Sequence, residues 1–361
     1  MIKNDRQLLI SLGLLAILFA LALLNQYAAL NGWGPLFING MMKNLVSCMV
    51  FGLVFAFDDY ILERFIPIGY LCAVFLLICV EVGGITVKGA TRWIQIGHLT
   101  MQPSELAKIF TPLMSAHTIF FLKKQSPIKI FLAISLLNIV PALLILKQPD
   151  LGSAILLLSA GMFPLLLAQI PTRFFLIIAG LICCAMPLSW QHLHAYQKER
   201  VLTLLNPDRD PLGQGYHVQQ SKIAIGSGGL FGKGFCFNTQ AGYDFLPEHD
   251  TDFAFALFAE EWGFLGCFLV IVLFLLLKIH VFALILKTKS HYSQLIMFAL
   301  VAPMFLFVVI NISMVTGLLP VVGVPLPFFS RGGTHLLTTM LSLGLVFSLY
   351  IKDKNNYRGR V

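Results

Sequence analysis

Apolar residues along the chain fall into blocks of about twenty separated by short polar breaks, the length a helix needs to cross a hydrocarbon core about 30 Å thick. Ten such blocks are predicted, near residues 8–30, 40–57, 65–82, 104–122, 128–146, 151–169, 174–190, 256–279, 293–316 and 333–351. Stretches such as Leu12 to Leu24 and Phe264 to Leu277 are apolar on every face. A membrane barrel would instead alternate apolar and polar residues over about ten positions, and backbone satisfaction in lipid leaves the helix as the remaining choice.

Composition sharpens that picture. Of 361 residues, 58% are hydrophobic and only 12% charged, against roughly 25% charged in a soluble domain, and the mean hydropathy is +0.83. The expected fold is an all-α polytopic membrane protein of about ten transmembrane helices, one integral domain over 1–361. It has one large extracytoplasmic loop, about 191–252, between the seventh and eighth spans. The opening MIKNDRQ precedes an apolar run too long for a signal-peptide core and without a small-residue cleavage site, so it is read as a retained first span.

An even number of spans puts both termini on one side. With that side cytoplasmic, the inner loops and ends collect most of the Lys and Arg, among them Lys3, Arg6, Lys123, Lys124, Lys287 and Lys354, against few acids such as Asp5 and Glu63. This satisfies the positive-inside rule and accounts for the net charge of +8 without invoking nucleic acid. Of seven cysteines only Cys236 lies in a polar loop, and no disulfide framework or metal-ligand spacing follows.

Nearly all other ionisable groups fall on the opposite, outer side, so any chemistry is expected there. Four segments hold them. The first, Lys88 to Ile109, reads KGATRWIQIGHLTMQPSELAKI; its middle alternates too briefly to span and suggests a short interfacial element anchored by Trp93. Glu105 and Lys108 share one helical face. They form either a local ion pair that makes a charged helix end tolerable, or, with Lys88 and Arg92, a cationic pocket at headgroup depth. In the second, Lys147-Gln148-Pro149-Asp150, the Asp150 carboxylate either caps the following helix or serves a site.

The third segment, Arg200 to Gly263, contains a glycine-rich run from Gly226 to Gly234. It fails as a phosphate loop, because Ser227 and Gly234 stand where that motif needs Gly and Ser or Thr; tight turns or a close backbone approach suit these glycines better. Asp252 opens a span. Counting about twenty residues back from Lys278 sets the outer interface near Phe258, with Glu260 and Glu261 beside it and Asp252 about two turns above. A carboxylate there is either a general base for a hydroxyl nucleophile or a helix cap. The fourth segment, Gly317 to Thr334, is rich in Pro and Gly and mostly apolar; irregular backbone at membrane depth suits the wall of a lipid-binding groove.

Taken together these stretches resemble the SEDS family (shape, elongation, division and sporulation), and within it RodA-like members more than the division branch. The matching pieces, in order over essentially the whole chain, are KGATRWIQIG with QPSELAK, QPDLGS, GYHVQQSKIAIGSGGLFGKG, LPE with TDF, AEEWG, and LPVVGVPLPFFS with GG. Three positions depart from the pattern: Asp250 stands for a usual His, Arg331 for a usual Tyr, and His335 for a usual small residue.

The resemblance implies a peptidoglycan glycosyltransferase of the cytoplasmic (inner) membrane, acting in cell elongation and rod-shape maintenance, that polymerises lipid II at the outer face. By motif, Asp252 is similar to the family's essential carboxylate. Arg92, Lys108 and Arg200, with Lys147, Lys222 and Lys233 behind them, are the cations expected to stabilise the undecaprenyl pyrophosphate leaving group. Glu105 would orient Lys108, and a Mg²⁺ or Mn²⁺ ion could share the work. A class B penicillin-binding protein and further elongation-complex proteins are the implied partners, since this chain shows no Ser-x-x-Lys element for crosslinking. The rival reading is a lipid II flippase. It would need polar groups along the inner halves of the spans, which are almost bare. A noncatalytic scaffold would leave Asp252 unexplained.

Overall fold

The structure is a computed structural model. It describes residues 5–56, 59–87, 90–97, 99–168, 195–206, 213–239 and 248–358, with the short pieces 170–171, 173–174, 176, 180, 209–210 and 245–246. Helices α1 (Arg6–Ala29), α2 (Pro35–Leu53) and α3 (Asp59–Gly83) come first. A sheet of β1 (Ile85–Val87), β2 (Ala90–Ile96) and β3 (Leu99–Met101) then leads into α4 (Pro103–Leu122), α5 (Pro127–Lys147) and α6 (Leu151–Met162). Beyond them lie α7 (Ala195–Leu205), α8 (Gln214–Ser227), α9 (Ala254–Lys287), α10 (His291–Val315) and α11 (Gly333–Arg358).

Among the described residues seven helices are long and apolar enough to cross a membrane: α1, α2 with its short extension, α3, α5, α9, α10 and α11. The expected seventh span, 174–190, falls almost wholly outside the described residues. The chain is not purely helical. The brief alternation after α3 forms an antiparallel sheet in the order β1-β2-β3, with Thr86 opposite Thr91 and Gln95 opposite Thr100. A period of two over so few residues cannot bury a helical stripe but fits a pleated surface.

Burial ranks the helices. The apolar windows of α10 and α11 are 72% and 78% buried within the protein, against 28% for α1 to α3. So α10 and α11 form the centre, with α9 and α4 packed on α10, α2 on α11 and α1 on α9. The outer helices keep large apolar side chains such as Leu71, Phe75 and Leu132 exposed, as a lipid-facing surface requires.

Two polar clusters tie down the end of the bundle that carries the termini. Asp353 accepts from the backbone amides of Lys289 and Ser290, at 2.7 and 2.9 Å. Asp5 caps α1 through the Leu8 amide and accepts from Tyr350 at 2.6 Å and from Lys354. Burial alone would raise the Asp5 carboxyl, but these donors, Lys354 foremost, outweigh it and hold the pKa down to about 2.

One deviation from regular geometry matters for the site. A straight 34-residue α9 would run about 50 Å, far beyond the hydrocarbon core, and the helix breaks at Gly263 (φ 65°, ψ −165°). Everything from Ala254 to Glu261 is buried in protein. The straight count back from Lys278 to Asp252 runs across this break.

Candidate active site

Asp252 sits on the turn 248–253, directly ahead of α9. Neighbouring groups lock the turn from several sides. The Thr251 hydroxyl donates to the Glu248 carboxylate at 2.8 Å, and the Phe253 amide donates to the Glu248 carbonyl at 3.1 Å. The His249 ring nitrogens face the carbonyls of Leu246 (2.6 Å) and of Ala29 at the end of α1 (3.0 Å). Asp250 pairs with Arg331 at 2.7 Å.

The backbone of Asp252 is held from below. Asn311 of α10 is fully buried, and its amide nitrogen donates both to the Asp252 carbonyl (2.9 Å) and to the Val324 carbonyl (2.6 Å). One side chain thus joins the turn to the irregular segment 317–332. That segment faces the carboxylate: a methyl group at Gly323 would lie 3.4 Å from Asp252 Oδ2. A rigid turn, a carboxylate and an irregular wall meet here.

The same wall reaches the second motif. At Gly152 an added methyl would lie 2.1 Å from a Val322 methyl carbon, so the start of α6 packs tightly under Val322. Asp150 caps α6 by accepting from the Ser153 amide at 3.1 Å, and its other oxygen lies 3.5 Å from Arg92. Arg92, on β2, also donates to the carbonyls of Gln148 (3.1 Å) and Pro149. Asp150 is thus a helix cap that also pairs with a cation. Gln148 in turn donates to the Leu77 carbonyl at 3.0 Å.

Two further cations converge on the wall from the large loop. Arg200 on α7 and Lys222 on α8 line one cleft with Thr203, Gly317 and Pro320. A methyl at position 317 would lie 2.3 Å from Lys222 Cε, so the lysine stem crosses this glycine. The Ser221 hydroxyl fixes α8 to the end of α10 by donating to the Val315 carbonyl at 2.7 Å.

Lys233 is engaged elsewhere, 2.5 Å from the buried Glu260. The glycine-rich run does not form a phosphate loop; it repairs the break in α9. The amides of Lys233 and Gly234 donate to the carbonyls of Glu260 and Glu261 (both 3.0 Å), while the amides of Phe264 and Leu265 donate to the carbonyls of Gly229 and Leu230 (2.9 and 3.1 Å). The groups orphaned by breaking a helix in an apolar setting are thereby satisfied. Gly232 (φ 81°) makes this possible, since a methyl there would lie 2.1 Å from the Glu261 carbonyl oxygen.

A further group lies buried among the helices. Lys108 and Glu105 bond at 2.6 Å, and Glu105 also meets His335 Nδ1 of α11 at 3.2 Å. All three are buried around a cavity of about 30 Å³ that Phe307, Thr338 and Ser342 also line.

The structure therefore gathers Asp252, Arg200 and Lys222 along the segment 317–332, with Arg92 and Asp150 behind Val322. It keeps Lys233 with Glu260, and Lys108 with Glu105 and His335. Lys147 is exposed and 3.8 Å from Glu81, and Lys88 lies outside the described residues. Sequence reasoning missed Asn311 and the pair Asn25 and Gln26, which donate to the carbonyls of Ala254 and Phe328 at 3.2 and 3.0 Å. A polar residue inside an apolar span is the signal that could have found them. Among the described residues no group of three or more His, Cys, Asp or Glu is placed to hold a metal ion.

Comparison with known proteins gives three findings. A family model described as cell cycle protein, FTSW_RODA_SPOVE, matches residues 5–355. The chain is 39% identical over 345 residues to the peptidoglycan glycosyltransferase MrdB of Escherichia coli K12, covering 94% of this chain and 93% of that protein. Two solved structures share the fold. One, described as structural coordination of polymerization and crosslinking by a peptidoglycan synthase complex, matches with a TM-score of 0.81 and 29% identity over 95% of this chain and 97% of that one. The other, the rod shape determining protein RodA of Thermus thermophilus, matches with a TM-score of 0.72 and 26% identity over 95% and 96%.

Proposed function

This chain belongs to the FtsW, RodA and SpoVE family of cell cycle proteins, and from that premise we propose that it is a peptidoglycan glycosyltransferase that polymerises lipid II during cell elongation. It is a multi-pass membrane protein. Ten spans, both termini cytoplasmic, put the turn 248–253 and the segment 317–332 at the outer face of the inner membrane, where lipid-linked disaccharide is presented.

The observation that carries the reading is the setting of Asp252. A carboxylate on a turn locked by Asn311, Glu248, His249 and Arg331 stands beside an irregular wall at Gly323. Such a group acts as general base: it takes the proton of the acceptor sugar's 4-hydroxyl as that oxygen attacks the donor's anomeric carbon. The bond from that carbon to the diphosphate breaks, and undecaprenyl pyrophosphate leaves. Negative charge then grows on the diphosphate, and the cations nearest the wall, Arg200 and Lys222, meet it. Arg92, anchored by Asp150, stiffens the start of α6 beneath Val322. Removing one such donor typically costs about 2.7–4 kcal/mol of barrier. Crosslinking falls to a class B penicillin-binding protein as partner, in keeping with the synthase complex that supplies the TM-score of 0.81.

The test is polymerisation of labelled lipid II by the purified chain with its cognate penicillin-binding protein, comparing Asp252→Ala and Asp252→Asn with wild type. Ladders that vanish in both folded variants support the base. Ladders that persist reduce Asp252 to a helix cap, and a wild type that makes none favours transport of lipid II instead.

A further inference from the structure

Asp250 and Arg331 are far apart in the sequence, and the fold makes them partners. Arg331 Nη2 lies 2.7 Å from Asp250 Oδ2. The Arg331 backbone amide donates to the Asp250 carbonyl, also at 2.7 Å. One contact through side chains and one through main chain fix both separation and rotation between two segments.

The location gives the pair its meaning. Asp250 is two residues from Asp252, and Arg331 lies at the end of the wall that passes Asp252 at Gly323. Asn311 pins the middle of the wall to the turn, at Val324 and Asp252; Arg331 pins its end, at Asp250. We propose that the Asp250–Arg331 ion pair is a positioning clamp that holds the Asp252 turn in register with the segment 323–331, and so sets the reach of the carboxylate to the acceptor hydroxyl. This rests on Asp252 being the base.

Stability alone does not account for the pair. The Arg331 side chain is 32% exposed, and an ion pair so open to solvent is worth at most about 1 kcal/mol. A displacement of about 1 Å at a reacting group, by contrast, can cost about 100-fold in rate. The pair therefore weighs far more in geometry than in folding.

The experiment uses the full-length chain with its cognate penicillin-binding protein, the partner's transpeptidase blocked. It measures kcat and KM for lipid II and the melting temperature for Arg331→Gln, Asp250→Asn, the double neutral variant, the exchanged pair Asp250→Arg with Arg331→Asp, and Asp252→Asn. Either single variant is expected to lower kcat about tenfold or more with KM nearly unchanged and little loss of melting temperature. The double variant should lose no more than a single one, and the exchanged pair should recover rate. The clamp is overturned by an unchanged kcat in the single variants, by a defect confined to KM, which would make Arg331 a substrate contact, or by rate loss that tracks melting temperature and is not recovered by exchange. Asp252→Asn separates the two levels. If that variant polymerises like wild type, the base reading fails; if it is inactive while Arg331→Gln is normal, only the clamp fails.

Discussion

Asn311→Leu removes a single amide that holds two carbonyls, those of Asp252 and Val324. Leucine is close in shape, so little cavity forms. Each lost hydrogen bond is worth about 0.5–1.5 kcal/mol net, and a buried carbonyl left unpaired adds to that, so the expected loss of stability is about 2–3 kcal/mol. A matched control exists in Asn138, equally buried, whose amide donates to the Ser115 hydroxyl (3.0 Å) and the Ile134 carbonyl (2.7 Å) at the α4–α5 contact. Asn138→Leu should cost a similar amount of stability. Melting temperature in detergent and lipid II turnover are then measured on both. Asn311→Leu should additionally lower kcat about 10- to 100-fold, because the base loses its register with the wall, whereas Asn138→Leu should keep its rate at temperatures where it is folded. Equal rates in the two variants would refute the claim that Asn311 positions the site rather than only stabilising the bundle.

Gly232→Ala should detach the glycine loop from the break in α9, since the methyl would lie 2.1 Å from the Glu261 oxygen. A cost of about 1–3 kcal/mol from overpacking and faster proteolysis of residues 228–239 are expected; protection equal to wild type would contradict the repair. Gly317→Ala should push Lys222 off its path, where the methyl would lie 2.3 Å from Cε, and weaken turnover of lipid II without moving the pH optimum. Asp5, with its pKa pulled down to about 2, gives stability that is fully present above the unfolded pKa of about 4 and is lost as pH falls toward 2. Asp5→Asn should therefore lower the melting temperature at pH 6 and flatten its decline between pH 4 and pH 3.

Much of the fold was legible because lipid leaves few options. A block such as Leu12 to Leu24 has nowhere else to go, and the brief alternation at 90–96 already announced something other than a helix. The site was legible in pieces. Glu105 and Lys108 are three apart on one helix, so their bond follows from helical periodicity. That His335 completes the group does not, because its partner is 230 residues away. Likewise Asp250 and Arg331 each looked like an isolated departure, and only side by side do they become an ion pair.

What the sequence determined by itself is the class of molecule and most of its long apolar helices, since hydropathy is a local property. What only the tertiary structure decided is the break at Gly263 and its repair by the glycine loop, the bridge made by Asn311, the engagement of Lys233 by Glu260, and the meeting of Arg200 with Lys222. The reason is physical. A backbone or side-chain donor buried in an apolar setting must find an acceptor, and which acceptor it finds depends on how distant segments pack, a quantity that no local pattern encodes.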